Sequence, residues 1–390
     1  MNICVVSHSF FPATCYGGPI FSTYELCKKL ADLGHNIYVS TTNANCGNRL
    51  DVDTSKFIEI YRNLNVRYYF EQIYWYFSFA LIFGLWKDIK RSELIYIQYI
   101  FHYTVPLALF YSWVLNKRVV ICPRASLSPW GINWKGKLSS LFKKSWINLF
   151  IRPFVSNVKW QGCSFIEIKD IKSFFYKADC YELSDGIKTS AFNSERSLNY
   201  IDVIKKYTNR DFTKVSDIVF SMGRLHKIKG FDNLIRSFSL VLKSKPYVKL
   251  LIAGSDDNYK YFLLQEIKRL ELLDSVFLIG HLDDVEKKEI LSNSSVFALC
   301  SHVESFGIVV LEALASGLPV VISNKTIWKD LEKHKCGIFV SNNEDLFAEA
   351  LLLSLDTEYH RSDCVNYVEA RYDIDVVSNR FVKSFCFFNF

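Results

Sequence analysis

The sequence predicts an α/β protein built from two doubly wound domains that face each other across a cleft. Three observations predict it. A chain of 390 residues is longer than one hydrophobic core usually organises. Short runs that are apolar on both faces alternate with helix-period segments in both halves, the pattern of parallel strands covered by helices on each side. A polar segment, 188–213, separates the two series.

The first series opens with the strand run NICVVS, a loop to Gly18, and a helix from Pro19 with Ile20, Tyr24, Cys27 and Ala31 on one face. Pro19 suits the first helical position and Gly34 the stop. NIYVSTT is the second strand, and further strands are expected at 94–100, 118–122, 162–166 and 179–183. Residues 61–90 are rich in aromatics and give no clean period. Residues 94–116 carry no formal charge, but Gln98, His102, Thr104 and Pro106 read as a buried strand, a loop and a buried helix rather than a membrane span. In the second series, DIVFSMG is followed by a helix presenting Phe231, Leu234, Ile235, Phe238 and Val241. VKLLIAG, SVFLIG, SVFALC and PVVIS supply four more strands.

Composition narrows the class. Eleven cysteines without a C-x-x-C pair fit a reducing cytoplasm better than a disulfide framework. The N-terminus has no basic n-region, so no secretion signal is expected. The net charge of +7 is uneven: residues 1–190 hold 22 Lys+Arg against 13 Asp+Glu, and the rest 25 against 27. No Asp or Glu occurs from Leu94 to Ile166, a stretch with nine Lys/Arg and five Trp. That stretch reads either as a solvated basic face or as a surface attracted to anionic lipid or a phosphorylated acceptor. No nucleic-acid recognition motif accompanies it.

The chemistry concentrates after two strands of the second series. In HVESFGIVVLEALASGLPVV, Ser305, Phe306 and Gly307 precede a helix whose free N–H groups form an anion site. Glu304 sits just before it, and Glu312 lies two turns on. Two carboxylates flanking an anion site suit the hydroxyls and phosphate of a phosphate-bearing sugar, although a capping Glu304 and a merely exposed Glu312 fit the spacing equally. In SMGRLHKIKG, Gly223 turns the chain, and Arg224 and Lys229 place a fork and a point charge ahead of a helix, which suits a diphosphate. Gly17 and Gly18 in CYGGPIFS mark a further strand-to-helix turn.

Together these stretches resemble the family 4 retaining glycosyltransferases of the two-Rossmann GT-B fold, and in particular enzymes of bacterial surface-polysaccharide assembly. The resemblance rests on GGP, GRLHKIKG, AGSDDN, LIGHL and the Glu-x7-Glu stretch with its A-x-G-x-P-V tail. It implies that Arg224, Lys229 and the amides of Ser305, Phe306 and Gly307 bind the donor diphosphate. Glu312 would take the ribose hydroxyls, Glu304 would lie near the transferred sugar, and Gly17 and Gly18 would approach the donor from the other domain. Where many members carry His, Arg124 stands in VVICPRASLSPWG, and Asp185 begins DGI where N-G-I is usual. Arg124 is then expected among the catalytic groups, holding a phosphate or acceptor oxygen rather than acting as a base.

The resulting expectations are domains at 1–190 and 191–373, with a segment 374–390 packing back toward the first. The expected activity is retaining and metal-independent, with no cofactor. It moves a sugar from a UDP- or GDP-linked donor to a glycan or lipid-linked acceptor, on the cytoplasmic face of the inner leaflet. The two D-x-D occurrences, Asp51/Asp53 and Asp373/Asp375, are not at strand ends facing the site. A sugar-nucleotide epimerase and an inactive nucleotide-sugar-binding scaffold are the alternatives. A dehydrogenase is disfavoured by the absence of the dinucleotide fingerprint.

Overall fold

The computed structural model describes residues 1–73, 76–133, 136–192, 199–208, 215–304 and 306–386. Trp134, Lys135 and Ser305 therefore lie outside the described residues. The chain divides into two compact units, Met1–Gly186 with the chain from Ile374 onward, and Ile187–Asp373.

The strands of the first unit are β1 (Asn2–Val6), β2 (Asn36–Thr42), the short hairpin β3 (Ala44–Asn45) and β4 (Asn48–Arg49), β5 (Ile58–Tyr61), β6 (Leu64–Tyr69), β7 (Leu94–Gln98), β8 (Arg118–Cys122), β9 (Lys159–Gly162) and β10 (Asp179–Glu182). Its helices are α1 (Gly18–Asp32), α2 (Phe79–Lys90), α3 (Thr104–Val114), α4 (Pro129–Asn133), α5 (Lys137–Trp146) and α6 (Phe165–Phe174). The eight-stranded sheet runs β10-β9-β8-β7-β1-β2-β6-β5 and is parallel except for the β5–β6 pair. Strand order reverses between β1 and β7, which is the topological switch point of this sheet. Strands β1 and β7 are almost wholly buried. They pack against a core that includes Leu81, Leu85, Val105, Leu109 and Trp160.

The second unit begins with α7 (Asn199–Thr208), followed by β11 (Ile218–Met222), α8 (Phe231–Ser244), β12 (Lys249–Ala253), α9 (Lys260–Arg269), β13 (Val276–Gly280) and α10 (Asp284–Asn293). It continues through β14 (Val296–Leu299), α11 (Ile308–Ala315), β15 (Val320–Ser323), β16 (Gly337–Val340), α12 (Glu344–Asp356) and α13 (Arg361–Tyr372). All its pairings are parallel, in the order β13-β12-β11-β14-β15-β16, with the switch point between β11 and β14. Helix α14 (Ile374–Cys386) returns to the first unit, where it packs on α1. There Lys29 pairs with Asp375, and the Phe381 ring lies 5.0 Å from Tyr96.

The structure departs from the sequence reading in three places. The strand expected at 162–166 is β9, three residues earlier, because Ser164 accepts a hydrogen bond from Glu167 N and starts α6. The run GIFV forms a sixth strand, β16, which had no expectation. Cys15 and Cys46 are joined by a disulfide, a bridge that the scattered cysteines, read as no disulfide framework, did not announce. The stretch 94–116 resolves into β7, a loop and α3. No helix among the described residues is long and apolar enough to cross a membrane.

Candidate active site at the switch point of the second sheet

Parallel strands leave their carboxyl ends on one edge, and loops at a switch point diverge to either side and open a crevice there. In the second unit that position belongs to the loops after β11 and β14. After β11 the chain runs along the next loop: Gly223 N donates to Ala253 O at 2.9 Å, Leu225 N to Ser255 O at 2.9 Å, and Asp257 N to Leu225 O at 3.1 Å. His302 N donates to Ile228 O at 2.8 Å, which ties the β14 loop to the same segment. Gly230 has φ +64, and a Cβ there would stand 2.1 Å from Cys300 O. Only glycine allows this approach, and it lets α8 begin directly against the end of β14.

This framework brings Lys229 and Glu304 together. Lys229 Nζ donates to Glu304 Oε2 at 2.6 Å, with the two side chains 17% and 11% exposed. Ser301 Oγ donates to the same oxygen at 3.3 Å. Glu304 is thus not a helix cap. The residue just before α11 is Gly307, at φ +87, and no side chain among the described residues caps the helix. A Cβ on Gly307 would meet Glu304 Cγ at 3.1 Å, so glycine leaves room for the carboxylate beside the first turn. Phe306 is buried beneath, 5.3 Å from the Trp328 ring, and Trp328 Nε1 donates to Phe306 O at 2.9 Å. Its side chain fixes the turn, and the backbone amides at the start of α11 are groups that can meet an anion.

The Arg224 side chain is half exposed and donates to Asp257 Oδ2 at 2.8 Å. His226 accepts from Ile228 N through Nδ1 at 3.1 Å. Burial lowers its pKa, and the charges of Arg224 and Lys229 push the same way against Asp257. Glu312, on the first turns of α11, is paired with Lys287 of α10 at 2.8 Å, and Lys287 also meets Asp284 at 3.1 Å. Burial pulls the Lys287 ammonium's pKa down, but Glu312 and Asp284 more than offset it and hold it above its ordinary value. Because Glu304 precedes α11, no helical rotation relates it to Glu312. The two carboxylates are held by different lysines.

In the first unit, Gly17 (φ +87) is the residue before α1, and Pro19 lies in its first turn. Arg124 differs from its expected role as a ligand-holding group. Its guanidinium is 4% exposed and pairs with Asp185. Nε donates to Gln98 Oε1 at 2.8 Å, and Nη2 to Thr23 Oγ1 at 3.1 Å. The fork therefore ties β7, α1 and the segment after β10 at Asp185 together within this unit. Asp375 of the second D-x-D pairs with Lys29, and Asp373 Oδ2 accepts from Thr189 N at 3.1 Å. Lys287 and Asp257 were not foreseen. Asp257 lies in the AGSDDN stretch, while nothing in DVEKKEI marks Lys287 as the partner of Glu312.

Residues 207–371 match the profile of a family described as glycosyl transferases group 1. The mannosylfructose-phosphate synthase of Agrobacterium fabrum is 29% identical over 139 residues, 34% of this chain and 31% of that protein. The alpha-monoglucosyldiacylglycerol synthase of Streptococcus pneumoniae is 26% identical over 227 residues, 56% of this chain and 51% of that one. The chain thus spans about a third to a half of the length of these curated relatives. The crystal structure of Anabaena HepE in complex with UDP and glucose has the same fold. Its TM-score is 0.76 at 17% identity, with 99% of each chain covered.

Proposed function

We propose that this chain, which belongs to the GT-B glycosyltransferases, moves a sugar from a UDP- or GDP-linked donor to a glycan or lipid-linked acceptor of surface-polysaccharide assembly, with retention and without a metal. The observation that carries the reading is the meeting of Lys229, Glu304 and the first turn of α11 at the switch point between β11 and β14. The UDP in the HepE complex supports a nucleotide donor, and the S. pneumoniae synthase's name supports a lipid acceptor.

In this reading the donor diphosphate lies across Lys229, Arg224 and the amides that begin α11, and Glu312 takes the ribose hydroxyls. The C1–O bond to the diphosphate breaks and the departing oxygen keeps the electron pair. Two cations and a helix N-terminus neutralise that developing charge with little reorganisation. The acceptor hydroxyl bonds to C1 from the face the diphosphate leaves, and its proton passes to a departing phosphate oxygen. Glu304, held by Lys229, lies near the transferred sugar and stabilises positive charge at C1. Arg124 contributes as a positioning residue by fixing Asp185.

A thermal-shift panel of UDP, GDP, their sugars and the bare nucleosides tests the donor class. A ligand at a hundred times its Kd adds about 2.7 kcal/mol to the folded state. One diphosphate series should raise Tm, and its nucleoside at equal concentration should not. A panel with no shift for any diphosphate would remove the donor assignment.

A further inference from the structure

Lys287 stands where its surroundings work against a positive charge. It ends the first turn of α10, where the helix dipole favours anions, and its side chain is 17% exposed. The turn beneath it is fixed. The Asp283 carboxylate accepts from Val285 N and Glu286 N at 2.9 Å each. The Glu286 carboxylate accepts from Asp283 N at 3.2 Å, and from Lys206 Nζ and the Tyr207 hydroxyl at 2.6 Å each. From that base Lys287 Nζ reaches Glu312 Oε1 at 2.8 Å, Asp284 Oδ1 at 3.1 Å and the face of the Phe192 ring at 5.6 Å. The two anions are unequal partners. Asp284 is 71% exposed, so water screens its pairing, whereas Glu312 is 14% exposed. Among the described residues Lys287 is the one group bonded to the Glu312 carboxylate, and it takes Oε1 alone.

We infer that Lys287 is a positioning residue that holds Glu312 Oε1 and so presents Oε2 to the 2′,3′-diol of the donor ribose, setting the site's preference for ribonucleotides. The inference deepens the proposed function and rests on its placement of the ribose at Glu312. An ion pair covered to this degree adds little net stability, because desolvation offsets most of the attraction. Two apolar side chains would join α10 to α11 as well, without a covered ammonium at an unfavourable turn. What the pair supplies is geometry. A glutamate left alone spreads over several rotamers, and ordering it before the ligand arrives lowers the cost of binding. A ribose hydroxyl then meets an acceptor already in place. A ligand without those hydroxyls covers the carboxylate and leaves Oε2 unbonded, and a polar group left that way costs affinity.

The test is calorimetric titration of the whole protein with UDP, GDP and their 2′,3′-dideoxy forms, reading the ratio of the dideoxy Kd to the ribose Kd. The parent should show a ratio of roughly ten or more, the worth of a hydrogen bond to a charged group. In Lys287→Met the ratio should fall roughly two- to tenfold, the cost of ordering one side chain at the moment of binding. Any loss of general attraction between the ammonium and the phosphates weakens both forms alike and cancels in the ratio, as does a purely structural defect. Glu312→Ala removes the acceptor and should lower the ratio further. Adding Lys287→Met to Glu312→Ala should then leave the ratio unchanged, because the lysine acts through the carboxylate. The double variant strands neither partner of the pair, so this comparison stands even where Lys287→Met alone does not fold. The inference is overturned if the parent does not distinguish the two forms, if Lys287→Met keeps the parental ratio, or if the double variant's ratio drops below that of Glu312→Ala. UDP or GDP binding by the parent in any of these cases leaves the donor reading standing. A parent that binds neither diphosphate removes that reading and this inference with it.

Discussion

Replacing Lys229 with alanine removes an ammonium that lies 2.6 Å from Glu304 Oε2 and leaves that carboxylate beside Ser301 Oγ at 3.3 Å. Both charged side chains are more than four-fifths covered. The loss to folding should therefore fall between the zero to 1 kcal/mol of a surface pair and the roughly 3–5 kcal/mol of a buried one, about 1–3 kcal/mol. The loss to a bound diphosphate is that of one charge-assisted hydrogen bond, about 1.5–3 kcal/mol, which raises Kd roughly 10- to 150-fold. Glu304→Gln keeps the shape, keeps Lys229, and removes a negative charge beside the phosphates, so it should bind diphosphate at least as tightly as the parent. In the double variant the repulsion from the unpaired Glu304 is gone, and part of the affinity lost in Lys229→Ala should return. Calorimetric titration of UDP, GDP and the nucleosides into the four proteins measures the cycle. A folded Lys229→Ala that binds both diphosphates with parental affinity would refute the placement of the diphosphate at this lysine.

The two carboxylates should separate kinetically. Glu312→Gln should raise donor KM with kcat nearly kept, whereas Glu304→Gln should lower kcat, as steady-state rates with varied donor will show. Arg124→Ala should cost about 3–5 kcal/mol of stability by stranding Asp185, and Arg124→Lys should recover little because one ammonium cannot serve Asp185, Gln98 and Thr23 at once. Urea unfolding measures both. His8 lies 4.5 Å from the Tyr99 ring and 4.6 Å from Tyr76, and burial lowers its pKa to about 4. The unfolded chain takes up that proton first, so this residue's contribution is full above about pH 6.5 and declines, by on the order of 1–3 kcal/mol, as pH falls toward 4. His8→Phe should show a shallower loss of stability than the parent over that window.

Much of the architecture was legible because parallel strands covered on both faces read as apolar runs, as SVFALC and PVVIS do. GIFV was not read as a strand because four residues beside a polar loop carry no period. The loops expected to meet an anion are marked in the sequence where a glycine, a cation and a helix start fall together, as at Gly223, Arg224 and Lys229. Pairings between distant segments were not. Lys229 meets Glu304 across 75 residues, and Lys287 meets Glu312 across 25, because adjacent loops and helices of a folded sheet bring them together. Arg124 was expected as a ligand group from the resemblance, because it stands where many members carry His, while its burial against Asp185 depends on where the segment after β10 returns.

Transfer itself is tested most directly by following a panel of UDP- and GDP-sugars by ³¹P and ¹H NMR, with lipid and glycan extracts as acceptors. One donor should be consumed only when an acceptor is present, releasing nucleoside diphosphate. The product should keep the donor's anomeric configuration, and consumption should fall away in Lys229→Ala. A donor that binds but stays intact with every acceptor would contradict the account and leave a nucleotide-sugar-binding scaffold, and an inverted anomer would contradict its mechanism.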